Sequence, residues 1–137
     1  MNIYFSGSIR GGRGDAGLYA DIVSILRNHG TVLTEHVANP DLSSYGQLTM
    51  TNEEIYEKDM AMLHDSDIVV AEVTITSLGV GYEIGAAEAL GIPIVCLHRP
   101  TDEQSLSAML VGNPHVRCIA YEQVEELSEI FKKIFYD

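Results

Sequence analysis

The fold is decided by residues 67–91, which read DIVVAEVTITSLGVGYEIGAAEALG. The apolar run Ile68–Val73 predicts a strand that is buried on both faces of a parallel sheet. A Thr/Ser turn follows, and a glycine-spaced segment opens a helix from about Val80 to Leu90. Glu83 is expected in the first turn of this helix, where the positive end of the helix dipole favours an ionised carboxylate near neutral pH. An ionised carboxylate beside the carboxyl end of a strand is a potential nucleophile.

Four further segments have the composition of short strands: Asn2–Ser6, Thr31–Val37, Pro93–Leu97 and Arg117–Tyr121. They alternate with helical patterns, so the sequence predicts an α/β fold, a doubly wound five-stranded parallel sheet of the Rossmann or flavodoxin type with helices on both faces. With 137 residues, the chain is expected to form a single domain over 1–137. Ligands of such sheets bind at the carboxyl ends of the strands, where the strand order reverses.

Three other segments carry apolar residues at helical spacing. The first helix is expected to be capped by Asp15 and to end at Gly30, and the second runs from the capping-box residues Thr51 and Glu54 to about His64. The third is an amphipathic helix at the C-terminus, and Asn39–Met50 is predicted as a long loop. The inward-facing apolar residues are Leu18, Ile22, Ile25, Leu26, Ile55, Met62, Leu63, Val124, Leu127, Ile130, Phe131 and Ile134.

Charge and composition exclude several classes of partner. The net charge is −12, with 20 acidic and 8 basic side chains, which argues against a nucleic-acid polymer or a membrane surface as ligand. No apolar segment approaches the roughly 20 residues of a membrane span, and the N-terminus does not resemble a signal peptide. Cys96 and Cys118 lie in apolar strands without metal-ligand spacing, so we expect reduced thiols, no metal site and a cytoplasmic protein.

The segment Gly7–Arg13, directly after the first strand, has the composition of an anion-binding loop. Its glycines let backbone N–H groups approach an anion, Ser8 adds a hydroxyl group, and Arg10 and Arg13 supply guanidinium groups. The segment lacks the Gly-Lys-Ser/Thr of a Walker A loop and the spacing of a dinucleotide fingerprint. Taken alone, it is equally well interpreted as a glycine turn with solvated arginines.

The glycines around Glu83 exclude a dinucleotide cofactor. Gly79, Gly81 and Gly85 are spaced G-x-G-x-x-x-G, and Arg99 stands where a ribose-binding acid would be needed. The segment His98–Pro100 could approach a phosphate, although a surface turn is the simpler interpretation. Without a partner group, Glu83 is also compatible with an ordinary helix glutamate.

Several separated motifs resemble the 2'-deoxynucleoside 5'-phosphate N-hydrolases of the nucleoside 2-deoxyribosyltransferase superfamily. The motifs are YFSGSIRGG at 4–12, LTEHV at 33–37, Asp59, SLGVGYE at 77–83 and LSAM at 106–109. They occur in the family's order over nearly the whole chain. Together they are therefore more specific than either glycine-containing loop alone.

The resemblance implies a role for each matching residue. Glu83 matches the nucleophile that attacks the anomeric carbon, Tyr4 the group that orients it, and Asp59 the proton donor to the departing base. Contacts with the 5'-phosphate are implied for Gly7, Ser8, Ile9, Arg10, Gly11, Gly12, Arg13, Ser77 and Gly79. Ser107, Ala108 and Met109 match a segment that reaches the site of a neighbouring subunit, which implies a homodimer. His36 and Ile22 match the nucleobase side of the pocket.

The residue types suit hydrolysis of an N-glycosidic bond without a cofactor. Cleavage builds positive charge on the sugar, which one carboxylate can stabilise and trap covalently while a second acid protonates the leaving base. We therefore expect an ionised Glu83 and a transiently protonated Asp59, with their environments moving the two pKa values apart. The products would be a free base and 2-deoxyribose 5-phosphate.

The 5' end of the substrate distinguishes a hydrolase from a transferase. Where transferases of the family place an asparagine, this sequence has Ser107, which together with Arg10 suits a phosphate better than a hydroxyl group. Three alternatives stay open: a base-exchanging deoxyribosyltransferase, a ribonucleotide N-glycosidase of the CMP type, and a non-catalytic nucleotide-binding sensor. The preferred base, and whether the nucleotide is normal or modified, are also open.

Overall fold

A computed structural model describes residues 1–8, 15–34, 50–100 and 105–136. Within them, five parallel strands form one sheet: β1 (Asn2–Ser6), β2 (Thr31–Val32), β3 (Ile68–Glu72), β4 (Ile94–His98) and β5 (Val116–Ala120). The spatial order is β2-β1-β3-β4-β5, so the direction of winding reverses between β1 and β3, as in flavodoxin-like sheets. The predicted α/β fold is confirmed.

Helices cover both faces of this sheet. They are α1 (Ala16–Leu26), α2 (Asn52–His64), α3 (Leu78–Ala89), the one-turn α4 (Ala108–Val111) and α5 (Leu127–Tyr136), which follows a short 3-10 turn at Val124–Glu126. One core cluster joins α1 and α5 to the sheet and the other joins α2 and α3 to it. No helix in the described ranges is long and apolar enough to cross a membrane.

The side-chain alternation of the central strands assigns each residue to one of these faces. Phe5 and Val70 pack in the cluster beneath α1 and α5, whereas Tyr4, Val69 and Ala71 pack beneath α2 and α3. All five residues of β3 are buried, as predicted for a central strand. Because the pairing of β1, β3 and β4 extends to within one residue of the end of each strand, the loops that follow them meet at one edge of the sheet.

Strand β2 is shorter than the predicted Thr31–Val37, of which 35–37 lie outside the described residues. Leu33 and Thr34 form a turn instead of continuing the strand. The buried Thr34 hydroxyl group accepts a hydrogen bond from the Phe5 N–H at 2.8 Å and donates one to the Phe5 carbonyl oxygen. At Phe5, the Thr34 side chain therefore takes the place of the β2 backbone as the hydrogen-bonding partner of β1.

Helix α1 differs from its prediction at both ends. It ends at Leu26, not Gly30, and two single turns through Asn28 and His29 complete the connection to β2. Asp15 precedes α1 but its side chain makes no capping hydrogen bond, because it pairs with Arg99 instead. By contrast, α2 begins as predicted, with the Thr51 hydroxyl group accepting a hydrogen bond from the Glu54 N–H at 3.1 Å.

Candidate active site

Glu83 forms the centre of a hydrogen-bonded group between α3 and β1. Its carboxylate accepts hydrogen bonds from the hydroxyl groups of Tyr4, at one oxygen, and of Ser6, 3.3 Å from the other. Tyr4 and Ser6 alternate along β1 and thus project to the same face of the sheet. The structure therefore brings Glu83 to its predicted partner Tyr4. Ser6 lay within the quoted motif but had no predicted role, although its i, i+2 spacing from Tyr4 could have indicated one.

Glu83 does not lie in the first turn of its helix. Helix α3 begins at Leu78, two residues before the prediction, because the Ser77 hydroxyl group caps it by accepting a hydrogen bond from the Val80 N–H at 3.3 Å. Glu83 is consequently the sixth helical residue, in the second turn. The influence of the helix dipole falls off within the first turn, so it does not govern the charge of this carboxylate.

The expectation that the Glu83 carboxylate is ionised near neutral pH was also wrong. The pKa of Glu83 is raised to about 7, mainly because the carboxyl group is desolvated by burial; the hydrogen bonds from Tyr4 and Ser6 lower it, and the nearby Asp59 carboxylate contributes to the rise. Desolvation penalises the charged form of a carboxyl group more than two neutral donors stabilise it. Glu83 is therefore poised between its two protonation states at neutral pH.

Tyr4 and Asp59 complete the group predicted to carry the chemistry. Burial and the adjacent Glu83 carboxylate raise the pKa of Tyr4 far above its usual range, so the phenol stays a hydrogen-bond donor. Asp59 is half-buried on α2, and burial raises the pKa of its carboxyl group while Lys58 lowers it. Both carboxyl groups thus have raised pKa values.

Only part of the predicted phosphate-binding segment is described. Ile9, Arg10, Gly11, Gly12 and Arg13 lie outside the described residues, as does the predicted base-pocket residue His36. Gly7 and Ser8 are both buried. The Ser8 N–H donates a hydrogen bond to the Tyr19 hydroxyl group at 3.2 Å, and a Cβ atom at position 7 would lie 2.9 Å from the Tyr19 ring. Gly7 is therefore required by packing against Tyr19.

A cavity of about 550 Å³ opens at the same edge of the sheet, between the start of α3 and α4. Ser77, Ser107 and Met109 line it, but Glu83, Tyr4 and Asp59 do not. Ser107 is exposed and caps α4 by accepting a hydrogen bond from the Met109 N–H at 3.1 Å. Gly79 and Ala108 are exposed near these two caps. Ser77, Ser107 and Met109 thus line one cavity, whereas Gly79 and Ala108 lie outside its lining and the Glu83 carboxylate does not contribute to it.

Ile22 is not brought to the site. Its side chain is fully buried in the core beneath α1 and α5, on the face of the sheet opposite Tyr4 and Glu83. The apolar stripe that predicts α1 already contains Ile22, and packing of that stripe against the sheet leaves no surface for a base. The described residues therefore do not support its assignment to the base pocket.

A second carboxylate network, not predicted from the sequence, lies on this opposite face. Glu72, at the end of β3, is fully buried and accepts hydrogen bonds from the Tyr121 hydroxyl group and, at 2.7 Å, from the Thr74 N–H. Arg99 lies between two carboxylates, with Nη2 2.5 Å from Asp15 and Nε 3.5 Å from Glu72. The interpretation of 98–100 as a simple surface turn was wrong, because Arg99 is 30% exposed and held by these two acids.

No group of three or more His, Cys, Asp or Glu side chains within 1–8, 15–34, 50–100 and 105–136 is arranged to hold a metal ion. These residues do provide a partly buried carboxylate, a phenol donor and a second acid at the strand edge where ligands of such sheets bind. That arrangement suits attack at an electrophilic carbon with acid assistance.

Comparison with known proteins is consistent with this chemistry. A family model described as nucleoside 2-deoxyribosyltransferase matches residues 3–126. A 5-hydroxymethyl-dUMP N-hydrolase of Esox lucius is 46% identical over 145 residues, covering all of both chains. The enzyme of that name from Mus musculus is 55% identical over 112 residues, which are 81% of this chain but 65% of that protein.

The structure of a CMP N-glycosidase from Clostridium botulinum superposes with a TM-score of 0.67 and covers 96% of this chain and 99% of that one. At 15% sequence identity, this likeness shows the fold alone. The family model and the two relatives confirm the resemblance found in the sequence motifs. The chain belongs to the nucleoside 2-deoxyribosyltransferase family.

Proposed function

We propose that this protein is an N-hydrolase that cleaves the N-glycosidic bond of 2'-deoxynucleoside 5'-monophosphates, with 5-hydroxymethyl-dUMP as its first candidate substrate. The observation that carries the proposal is the partly buried Glu83 carboxylate, which accepts hydrogen bonds from Tyr4 and Ser6. The relative from Esox lucius, which this chain matches over its whole length, is named for that reaction. The products are the free base and 2-deoxyribose 5-phosphate.

The proposed reaction has two steps at the anomeric carbon. A Glu83 carboxylate oxygen attacks this carbon and the bond to the base nitrogen breaks, while Asp59 transfers a proton to the departing base. Water then attacks the anomeric carbon and gives one proton to the Asp59 carboxylate while the bond to the Glu83 oxygen breaks; this releases 2-deoxyribose 5-phosphate and restores both acids to their starting states. Tyr4 orients Glu83 throughout, since its high pKa keeps the hydroxyl proton in place.

We expect purified protein to release 5-hydroxymethyluracil from 5-hydroxymethyl-dUMP, measured by liquid chromatography, in preference to release of the base from dCMP, dGMP or CMP. Deoxyuridine carrying the same 5-hydroxymethyl group but no phosphate serves as the control for the 5' end. Absence of base release from every monophosphate would refute the proposal.

The family name itself motivates one second candidate, base exchange. A transferase would release base only when a second nucleobase is present to accept the sugar. A hydrolase releases it without an acceptor and yields the free sugar phosphate. Repeating the assay with and without added adenine therefore separates the two activities.

We propose further that the protein acts as a homodimer. Large apolar side chains are exposed at the start of α3 and on α4, including Leu78 at 95% and Met109 at 78%. The exposed rings of Tyr56 on α2 and Tyr82 on α3 contact each other edge to face nearby, with centroids 6.4 Å apart. Clustered exposed apolar surface of this kind marks an interface, and a second copy would add the Ser107–Met109 segment to the neighbouring site.

A mixing experiment tests whether Ser107 acts in the neighbouring subunit. Neither Glu83→Gln nor Ser107→Asp protein should be active alone, the second because its carboxylate repels a phosphate. After subunits exchange, we expect about a quarter of wild-type activity, because half of the dimers then contain one intact site. If Ser107 serves the site of its own chain, the exchanged mixture stays inactive. Light scattering measures the oligomeric state independently.

The cysteines support a cytoplasmic location as part of the same proposal. Cys96 and Cys118 are directly paired across β4 and β5, yet both are free thiols. Free thiols are the usual state of cysteines in a reducing compartment. Fractionation of cells that express the protein would test this location.

A further inference from the structure

The proposed chemistry fixes the side of the active site on which the nucleobase lies. Glu83 attacks the anomeric carbon while Asp59, on α2, protonates the departing base. The base therefore lies on the α2 side of Glu83, whereas the cavity of about 550 Å³ lies on the α4 side of α3. Of the two residues predicted to line the base pocket, Ile22 is buried on the opposite face of the sheet and His36 lies outside the described residues. Another group on the α2 side must therefore contact the base.

Tyr56 lies on the face of α2 that points toward this space. Tyr56, Asp59 and Leu63 are spaced i, i+3 and i+7 and thus form one stripe of the helix. Leu63 is fully buried, Asp59 is half-buried and Tyr56 is 54% exposed. The exposure increases toward the start of α2, which lies nearest the carboxyl edge of the sheet because the helix leads back to the start of the parallel strand β3. Tyr56 is consequently about 4.5 Å further than Asp59 toward the edge where ligands bind.

Tyr82 on α3 supports the Tyr56 ring. The two ring centroids are 6.4 Å apart and the ring planes are inclined by 62°, an edge-to-face contact. A hydrogen bond with Tyr82 also raises the pKa of Tyr56. Tyr82 directly precedes Glu83, so the pair connects the helix of the nucleophile to the helix of the proton donor. An edge-to-face contact covers at most one face of either ring, which leaves aromatic surface beside the two acids.

We propose that the Tyr56 ring binds the nucleobase by stacking, and that Tyr82 is a positioning residue that holds this ring in place. The inference rests on the proposed function, since it takes Asp59 as the proton donor to the base. Stacking on a tyrosine ring contributes to binding of any base, because every base has a π face. Tyr56 is therefore expected to contribute to affinity and to the orientation of the base toward Asp59, but not to the choice between bases.

An interface between two copies of the chain is the competing explanation for these exposed rings. Tyr82 is 58% exposed, and exposed aromatic surface also marks sites of protein association. The two roles predict different effects of removing the Tyr56 ring. Loss of an interface ring changes the oligomeric state, whereas loss of a stacking ring weakens only those ligands that carry a base.

The test is the substitution Tyr56→Ala, which removes the ring and retains a good helix former in α2. In a Glu83→Gln background, calorimetry should show that binding of 5-hydroxymethyl-dUMP weakens about tenfold, as expected for loss of a stacked ring. Binding of 2-deoxyribose 5-phosphate, the product without a base, should change less than about twofold. Tyr56→Phe keeps the ring and should retain the affinity for both ligands. In otherwise wild-type protein, Tyr56→Ala should raise KM more than it lowers kcat.

Two further variants make the result decisive. Tyr82→Ala removes the support of the Tyr56 ring and should cause a smaller loss, confined to the ligand with a base, even if Tyr56→Ala fails to fold. Tyr136→Ala removes an exposed ring from α5 and should affect neither ligand. Equal weakening of both ligands, unchanged binding of the monophosphate, or an altered oligomeric state of Tyr56→Ala in light scattering would overturn the inference. If the protein binds the monophosphate through Tyr56 but releases no base, the proposed function fails and the stacking role stands.

Discussion

Replacement of Glu83 by glutamine is expected to lower kcat for 5-hydroxymethyl-dUMP about a thousandfold or more, as removal of a nucleophile does in other enzymes. Glutamine has the same shape and can still accept hydrogen bonds from Tyr4 and Ser6. Its neutral amide, however, neither stabilises positive charge on the sugar nor forms a glycosyl ester. The rate of base release is measured at saturating substrate. Mass spectrometry after rapid quenching should detect 2-deoxyribose 5-phosphate covalently attached to the wild-type protein but not to the Glu83→Gln protein.

Glu88→Gln provides the matched control, because Glu88 lies on the same helix but is exposed and pairs with the Asn113 amide at 2.6 Å. It should leave kcat within about twofold of wild type, as surface substitutions generally do. A Glu83→Gln protein with kcat near that of wild type would refute the proposed mechanism even if hydrolysis itself is observed.

The free energy of unfolding distinguishes loss of chemistry from loss of structure in the same variant. The pKa of Glu83 is raised to about 7 in the folded protein, above the usual value of an unfolded chain, so the native state is favoured at low pH and this contribution is lost as pH rises through 7. Removing the carboxyl group should therefore stabilise the protein at pH 8 relative to wild type, by on the order of 3 kcal/mol. Denaturant titrations at pH 5 and pH 8 measure the difference.

The strands could be predicted from the sequence because their signal is local. The strand-like runs predict β1 without error and β3, β4 and β5 to within one residue at each end. The reason is clearest for β3, which is buried along its whole length, because strands buried on both faces read as nearly continuous apolar runs. The start of α3 was missed by two residues, although Ser77 is a good cap. The glycine at 79 weakens the helical pattern, and only the observed hydrogen bond to Val80 fixes the boundary.

What sequence reasoning could not predict depends on residues that are distant in the chain. Asp15 has the residue type and position of a helix cap. Its carboxylate nevertheless pairs with Arg99 and makes no capping hydrogen bond, because a hydrogen bond between two charged groups is stronger than one to a neutral backbone N–H. The pKa of Glu83 depends similarly on burial by neighbouring elements. The resemblance paired Tyr4 with Glu83, and the structure contains the hydrogen bond between them. Neither the resemblance nor the local pattern indicated the Glu72 network on the other face.

The second large effect is expected in the dependence of kcat/KM on pH. Attack requires the ionised form of Glu83, whose pKa burial raises to about 7. Below that pH, kcat/KM should fall about tenfold per pH unit, so that activity at pH 5 is about a hundredfold below its plateau. Had the helix dipole governed this carboxylate, the activity would persist to about pH 4. Initial rates at low substrate concentration between pH 4.5 and 9 measure the profile.

The fall of kcat/KM on the acidic side of the profile is called the acidic limb. Tyr4→Phe should move this limb to higher pH, because the hydrogen bond from Tyr4 lowers the pKa of Glu83 and phenylalanine cannot donate one. Ser6→Ala should move it in the same direction by less, since the hydrogen bond from Ser6 contributes less to the pKa. Tyr136→Phe, which removes an exposed hydroxyl group on α5, should leave the limb unchanged. A limb that stays in place in Tyr4→Phe, whatever the loss of rate, would show that the phenol orients Glu83 without tuning its charge. A limb that moves to lower pH would contradict the hydrogen bond itself.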